Sequence, residues 1–360
     1  MSKEVLRKCG RRLSGLYYPF IAVTLALMIG GIVITLMGFD WLLAYGSLLE
    51  GSLGSVHAQA ETLVKAIPLI FTGLSFAIGK RCGLINLGAE GQVYLGGLFA
   101  SLMALSMPGL PVFLLLPLSL LTGAIGGGLL GLLTGWLKNR FEASELITGI
   151  MFNYIAIRLI AYMSTGPLRD PDGNVPQSAL MPVSAQLPKL VTGTRLHAGL
   201  LLALVFIVLY HIFMSKTTKG YELRLTGHNP GAAEYAGINI KRNVLMAMFL
   251  SGCAAGLAGA SEILGIQLRL LQDFSPNYGF DGIAVALLGG NSPIGILISS
   301  ILFGILRSGS NKMQMVASVP VSIFQIIQAV VILFVAGREM FRFNKNRFRL
   351  KPQMVKSEKR

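Results

Sequence analysis

Charge is scarce in this 360-residue chain: Asp, Glu, Lys and Arg make up 13% of it, against 53% hydrophobic residues. A soluble domain is about one-quarter charged, so the deficit excludes an ordinary water-soluble fold and places the chain in lipid. Cysteine is nearly as scarce. Cys9, Cys82 and Cys253 stand apart, and no pair has the spacing of a zinc site or a redox dithiol. His57, His197, His211 and His228 likewise show no paired ligand spacing. Neither a metal nor a disulfide is expected, and no cofactor. Also missing is any Gly-x-x-x-x-Gly-Lys-Ser/Thr loop to cradle a nucleotide, and any Ser, His and Asp set or carboxylate pair in a recognisable motif. The chain is therefore not read as an enzyme.

Basic residues are plentiful, giving a formal net charge of +15, yet they sit between apolar runs rather than on one face. Lys3, Arg7, Lys8, Arg11 and Arg12 precede the first apolar run, and nine Lys or Arg residues follow Gly337. Positive charge flanking spans marks the cytoplasmic side. A basic juxtamembrane tail also attracts anionic lipid head groups, so membrane lipids account for it and no nucleic-acid partner is expected.

A helix needs about 20 apolar residues to cross the hydrocarbon. Runs of that kind lie near Tyr18 to Gly38, Leu63 to Gly79, Leu84 to Ser106, Pro111 to Leu137, Glu145 to Met163, His197 to Met214, Val244 to Leu264 and Val319 to Ala336. A glycine-broken segment spans Gly282 to Leu306. The first run is too long for a signal peptide and lacks a cleavage site, so it reads as a retained span. The expected fold is all-α: a polytopic bundle of about eight to ten transmembrane helices. A basic cytoplasmic N-terminus (1–17) and tail (338–360) flank a permease-like membrane domain (18–337).

Basic loops at Lys80 to Arg81, Lys138 to Arg140 and Lys216 to Arg242 are expected in the cytoplasm. Phe39 to Glu61, with three acids and no Lys or Arg, is expected outside as a loop, with the Pro-rich segment Ser164 to Arg195. A simple crossing at Gly282 to Leu306 would leave the basic tail outside, against the positive-inside rule. Gly289, Gly290, Asn291 and Pro293 offer the remedy, because Pro lacks an N–H and glycine breaks a helix cheaply. Two shorter helices returning to one side are expected there. Broken backbone survives at membrane depth only where protein or a water-filled cavity shelters it. Gly123, Gly127, Gly131 and Gly135, with Gly252, Gly256 and Ala260, form small-residue stripes that permit close helix approach.

The stretch Gly227 to Ile238 defines a short cytoplasmic helix. Asn229 caps it, Pro230 suits its first turn and Gly237 ends it. A helix so short is marginal in water and needs a docking surface, which Ala232, Ala233 and Ala236 allow to come close.

Three motifs in order, Cys82-Gly83-Leu84-Ile85-Asn86-Leu87-Gly88-Ala89-Glu90-Gly91-Gln92, Gly227 to Ile238, and Gly282 to Gly290, give a specific resemblance. From about Leu63 to Gly337 the chain resembles the ABC-importer permeases for nucleosides and simple sugars, grouped with those for branched-chain amino acids and ribose. The resemblance implies a prokaryotic inner or plasma membrane, two membrane subunits, two cytoplasmic ATPases and an extracytoplasmic substrate-binding protein, often a lipoprotein. It implies that Asn229, Pro230, Ala232, Ala233, Glu234 and Gly237 belong to the helix that couples to the ATPase. The insert Phe39 to Glu61 and the long basic tail resemble the longer of two paired permeases, which favours a heterodimer over a homodimer.

An acid at a helix centre costs about 2.5 to 3.5 kcal/mol on insertion scales, so Glu90, flanked by Asn86 and Gln92, needs a reason. These three either line the pathway or satisfy backbone groups freed at Gly88 and Gly91. Asn153 and Arg158 pose the same question, Arg158 with the option of snorkelling to the surface. Gln325 and Gln328, three apart, fit a cavity lining or an interhelical hydrogen bond. Competing functions remain: ribose, another simple sugar or a branched-chain amino acid as substrate, or an ion-coupled secondary transporter, whose sites also sit at broken helices.

Overall fold

Buried in lipid, backbone groups must be satisfied within the segment, which leaves long apolar runs no choice but helix. The computed structural model is accordingly all-α, with only isolated bridges of β type among its described residues, which are 21, 23–171, 175–320, 322–323, 325–330 and 333–334. The basic ends 1–17 and 338–360 lie outside them. In chain order the helices are α1 (Val23–Leu36), α2 (Trp41–Leu53), α3 (Val56–Arg81), α4 (Ala89–Ser106), α5 (Val112–Phe141), α6 (Glu145–Thr165), α7 (Gly199–Lys216), α8 (Thr218–His228), α9 (Pro230–Tyr235), α10 (Ile240–Glu262), α11 (Tyr278–Leu288) and α12 (Pro293–Ala317).

Six of these, α3, α5, α6, α7, α12 and α10 with its extension to Gln267, are long and apolar enough to cross a membrane. That is fewer than the expected eight to ten. The shortfall has a physical cause: α1 and α11 are short apolar helices, and α4 carries Glu90 and Gln92 in its first turn. The protein is a polytopic membrane protein.

The chain divides into two compact units, Leu48–Gly309 in one and the described parts of Met1–Ser47 and Ser310–Arg360 in the other. In the second, the Tyr45 hydroxyl donates to the Leu27 carbonyl, and Gly30 lies against Tyr45 and Ile327. In the first, α3 is buried almost continuously from Ala66 to Gly79, as befits a helix apolar all round.

The glycine stripes bring α5 and α10 together backbone to backbone. A methyl group at Gly127 would collide with the Gly252 carbonyl, one at Gly256 with the Gly123 carbonyl, and one at Gly131 with the Met248 carbonyl. Gly96 of α4 meets Gly256 in the same way. Small residues permit this approach, which driving forces in lipid reward through packing.

Two expectations need correction. Phe39 to Glu61 is not a loop: α2 occupies Trp41–Leu53 and α3 already begins at Val56. The acids are few enough that apolar Trp41, Leu42, Leu43, Leu49 and Leu53, all exposed on α2, decide its character. Nor is the broken segment a pair of short helices. α11 has 11 residues, but α12 has 25 and runs past Leu306 to Ala317.

The break itself spans Gly289 to Ser292, with φ of +60° at Gly290 and +54° at Asn291. Gly282 packs on Thr72, and Arg81 Nη2 donates to the Asn291 carbonyl at 3.2 Å. Beyond the turn, Ile296 meets Gly73, Gly304 meets Thr62, and Gly309 meets Leu48. Thus α11 descends along α3 to the Arg81 end, and α12 climbs back along the same helix.

Candidate functional site

Helix α3 ends where Gly83 adopts φ +80°, a conformation that favours glycine. The following residues up to Gly88 are not helical, yet they are mostly buried, so their backbone polar groups need partners. Asn86 and Asn153 supply them. Asn86 Oδ1 accepts from the Gly88 N–H at 3.0 Å, Asn153 Oδ1 accepts from the Gly91 N–H at 2.7 Å, and Asn153 Nδ2 donates to the Leu87 carbonyl at 2.8 Å.

Asn86 is also the centre of a side-chain network. Its Nδ2 donates to Gln92 Oε1 at 2.8 Å and to Ser251 Oγ at 2.7 Å, while Gln92 Nε2 donates to Asn86 Oδ1 at 3.2 Å. Ser75 and Ser251 hydroxyls lie 3.1 Å apart. The network joins α3, the turn, α4 and α10. Asn86, Gln92 and Asn153 are 1%, 0% and 3% exposed, and the bonds listed use their polar atoms inside the protein.

Glu90 takes a different partner. Its Oε2 accepts from the Gly279 N–H at 2.6 Å, at the first turn of the half-helix α11. A helix start carries unpaired N–H groups and partial positive charge, so a carboxylate there is stabilising. Opposite it, Arg307 of α12 reaches Asp281 Oδ2 at 3.3 Å and the Pro276 carbonyl at 2.6 Å, with its guanidinium 4.8 Å from the Tyr278 ring centroid. The start of α11 is held between Glu90 and Arg307.

The helix α9 forms as its residues direct. Asn229 Oδ1 accepts from the Ala232 N–H at 3.1 Å, Pro230 is the first helical residue, and Gly237 has φ +76°. Its faces differ from expectation in one respect. Ala233 is 0% exposed and turned into the protein, so it does not lie on an open docking face; Tyr235, at 97%, does. Pro230, Ala232, Glu234 and Ala236 are exposed beside Tyr235. Period decides this, since Ala232 and Ala233 point about 100° apart.

The remaining candidates are dispersed. Arg158 is exposed on α6. Gln325 is exposed and Gln328 buried, both in the other unit. Gly289, Gly290, Asn291 and Pro293 form the turn against Arg81 described above. Sequence reasoning missed Glu262, Tyr278 and Arg307, which converge on α11; the signal available was an acid at the end of α10 and an Asp and Arg inside otherwise apolar segments.

Residues 59–336 match the family model for the permease component of the branched-chain amino acid transport system. The chain belongs to that family. This permease is thus a non-catalytic, membrane-spanning subunit of an ABC transporter, and membership implies the usual importer architecture of a second permease, an ATPase and a binding protein. It is 38% identical to the guanosine ABC transporter permease protein NupP of Bacillus subtilis over 337 residues, 92% of this chain and 96% of that one. It is 36% identical to the glucose ABC transporter permease protein TsgB13 of Haloferax volcanii over 334 residues, covering 90% and 88%. With the nucleoside ABC transporter permease protein NupB of Lactococcus lactis the identity is 36% over 327 residues, covering 88% and 90%.

Proposed function

We propose that this permease forms the translocation pathway of an ATP-driven importer for nucleosides. The observation that carries the reading is similarity along nearly the whole chain to two permeases named for guanosine and nucleoside transport. The half-helix supports it. In transporters, a free half-helix N-terminus commonly receives an anionic substrate group, but at α11 the Gly279 N–H is already taken by Glu90. A site closed in this way suits a neutral solute better than an amino acid carboxylate.

In this reading α9 docks on a cytoplasmic ATPase through its exposed Pro230, Ala232, Glu234, Tyr235 and Ala236, both termini are cytoplasmic, and the partner permease is a different chain. The segment 166–198 faces the binding protein. The second reading, a simple sugar, is favoured by the similarity to the glucose permease. Both solutes present vicinal hydroxyls, which are the chemistry common to the two readings.

The test is uptake by the complete complex, co-expressed with the ATPase, second permease and binding protein encoded beside it. Labelled guanosine, uridine, glucose and leucine are offered in cells with and without ATP depletion. ATP-dependent uptake of guanosine and uridine is expected. Uptake of leucine alone, or concentrative uptake driven by an ion gradient without the ATPase, overturns the reading.

A further inference from the structure

Helix α10 ends in a carboxylate with one oxygen unused. Glu262 is 2% exposed; its Oε1 accepts from Gln267 Nε2 at 3.2 Å, while Oε2 has no hydrogen-bond partner. Native proteins rarely leave such an atom unpaired. The backbone beside it is irregular, since α10 passes into a π-turn over Ile263–Gln267 that ends with Leu268 at φ +53°. π-Turns are frequent at functional sites.

Glu262 is linked to the surface by a graded series of charges. Arg195, with 55% of its side chain exposed, makes two bonds of 2.7 Å to Glu61 and interacts electrostatically with Glu262 and with Tyr278. Lys65, one turn along α3 from Glu61, is half-buried and interacts with Glu262, as does Arg307. Ionisable residues inside a membrane domain face one another or a water-filled cavity. This series, ending at a carboxylate oxygen with nothing bonded to it, has the character of a wet vestibule.

The chemistry of the floor narrows its ligand. Lys65 and Arg307 already lie within electrostatic reach of Glu262, which disfavours a further cation. A neutral hydrogen-bond donor is the better match. The Gln267 side-chain carbonyl stands next to Glu262, tied to it through the amide nitrogen, so two acceptors lie side by side as a vicinal diol requires. Tyr278, buried beside them, supplies an aromatic wall.

We infer that Glu262 and Gln267, walled by Tyr278, form a hydroxyl-binding subsite in the pathway, where Glu262 Oε2 and the Gln267 carbonyl accept from neighbouring hydroxyls of the passing solute. The inference rests on the nucleoside or sugar reading above. The experiment uses the complete complex with its binding protein and compares uptake of guanosine with that of 2′-deoxyguanosine. Any preference contributed by the binding protein is common to wild type and variant. Glu262→Gln is expected to lower guanosine uptake about tenfold and to reduce the guanosine to 2′-deoxyguanosine ratio at least threefold, with co-purification of the ATPase retained. An unchanged ratio means that Glu262 holds a structural water only and overturns the inference, while the importer reading stands. If wild type imports no nucleoside and no glucose, both fall.

Should Glu262→Gln fail to assemble, a second measurement decides. In a variant with the three native cysteines replaced by alanine, Lys65→Cys is labelled from outside with an impermeant thiol reagent. At least threefold slower labelling in the presence of guanosine and binding protein is expected, and labelling that guanosine leaves unchanged overturns the inference.

Discussion

Glu90 on α4 and Gly279 on α11 are joined by a hydrogen bond of 2.6 Å between a buried carboxylate oxygen and the backbone N–H of a half-helix. The bond explains an acid that the hydropathy of the segment alone would forbid. It also fixes where α11 begins, because the chain before it, at Asn277, takes φ +67° and offers no earlier helical turn.

Removing that acceptor should be felt in stability. Glu90→Ala leaves the Gly279 N–H buried and unpaired, which costs about 1–3 kcal/mol, more where a charged partner is lost. Glu90→Gln retains an acceptor and should cost less. Thermal unfolding of the purified complex in detergent is expected to rank wild type above Gln above Ala. Equal midpoints for Ala and wild type would show that the bond does not hold α11.

On α9 the two faces should respond differently. Ala233→Arg forces a charge into a fully buried site, at a cost of several kcal/mol, and should reduce the amount of folded subunit in the membrane. Tyr235→Asp changes a side chain that touches little of its own chain, so the subunit should accumulate normally while co-purifying ATPase falls at least fivefold. Normal ATPase recovery with Tyr235→Asp would remove Tyr235 from the docking face.

Orientation follows from charge and can be read directly. On a cysteine-free background, a cysteine at Val191 in the 166–198 segment should be modified by an impermeant maleimide in intact cells, and one at Tyr235 only after lysis. The reverse pattern would invert the topology.

The contact between α5 and α10 tolerates little. Gly127→Leu places a side chain against the Gly252 carbonyl, and overpacking of this kind costs typically about 1–3 kcal/mol or more. Gly46, by contrast, has open space around its added methyl position, and Gly46→Ala should be neutral. Folded yield by size-exclusion chromatography checks both.

Much of this architecture is legible in the residues. Helical periodicity and glycine spacing mark the α5 and α10 stripes, and Asn229, Pro230 and Gly237 bound α9, because caps and close approaches depend on residues adjacent in sequence or one turn apart. The end of α12 was not legible, since Gly304 to Gly309 reads as polar and flexible; in the fold, Gly304 and Gly309 are packed against Thr62 and Leu48, and tertiary contact overrides propensity. The setting of Glu262 was invisible for the same reason. Its neighbours Lys65, Tyr278 and Arg307 come from three other helices, and no local spacing brings them together.

Gly83 and Gly227 touch through their main chains. A methyl at position 227 would strike the Arg81 carbonyl, and one at 83 would press on Gly227. The end of α8 and the turn carrying Asn86 therefore meet with no side chain between them to bend or change rotamer. Side chains are where a protein keeps its slack. A displacement begun at α9 would enter the polar turn undamped, as a lever bears on its fulcrum, and the Asn86 network would deliver it to α3, α4 and α10 together.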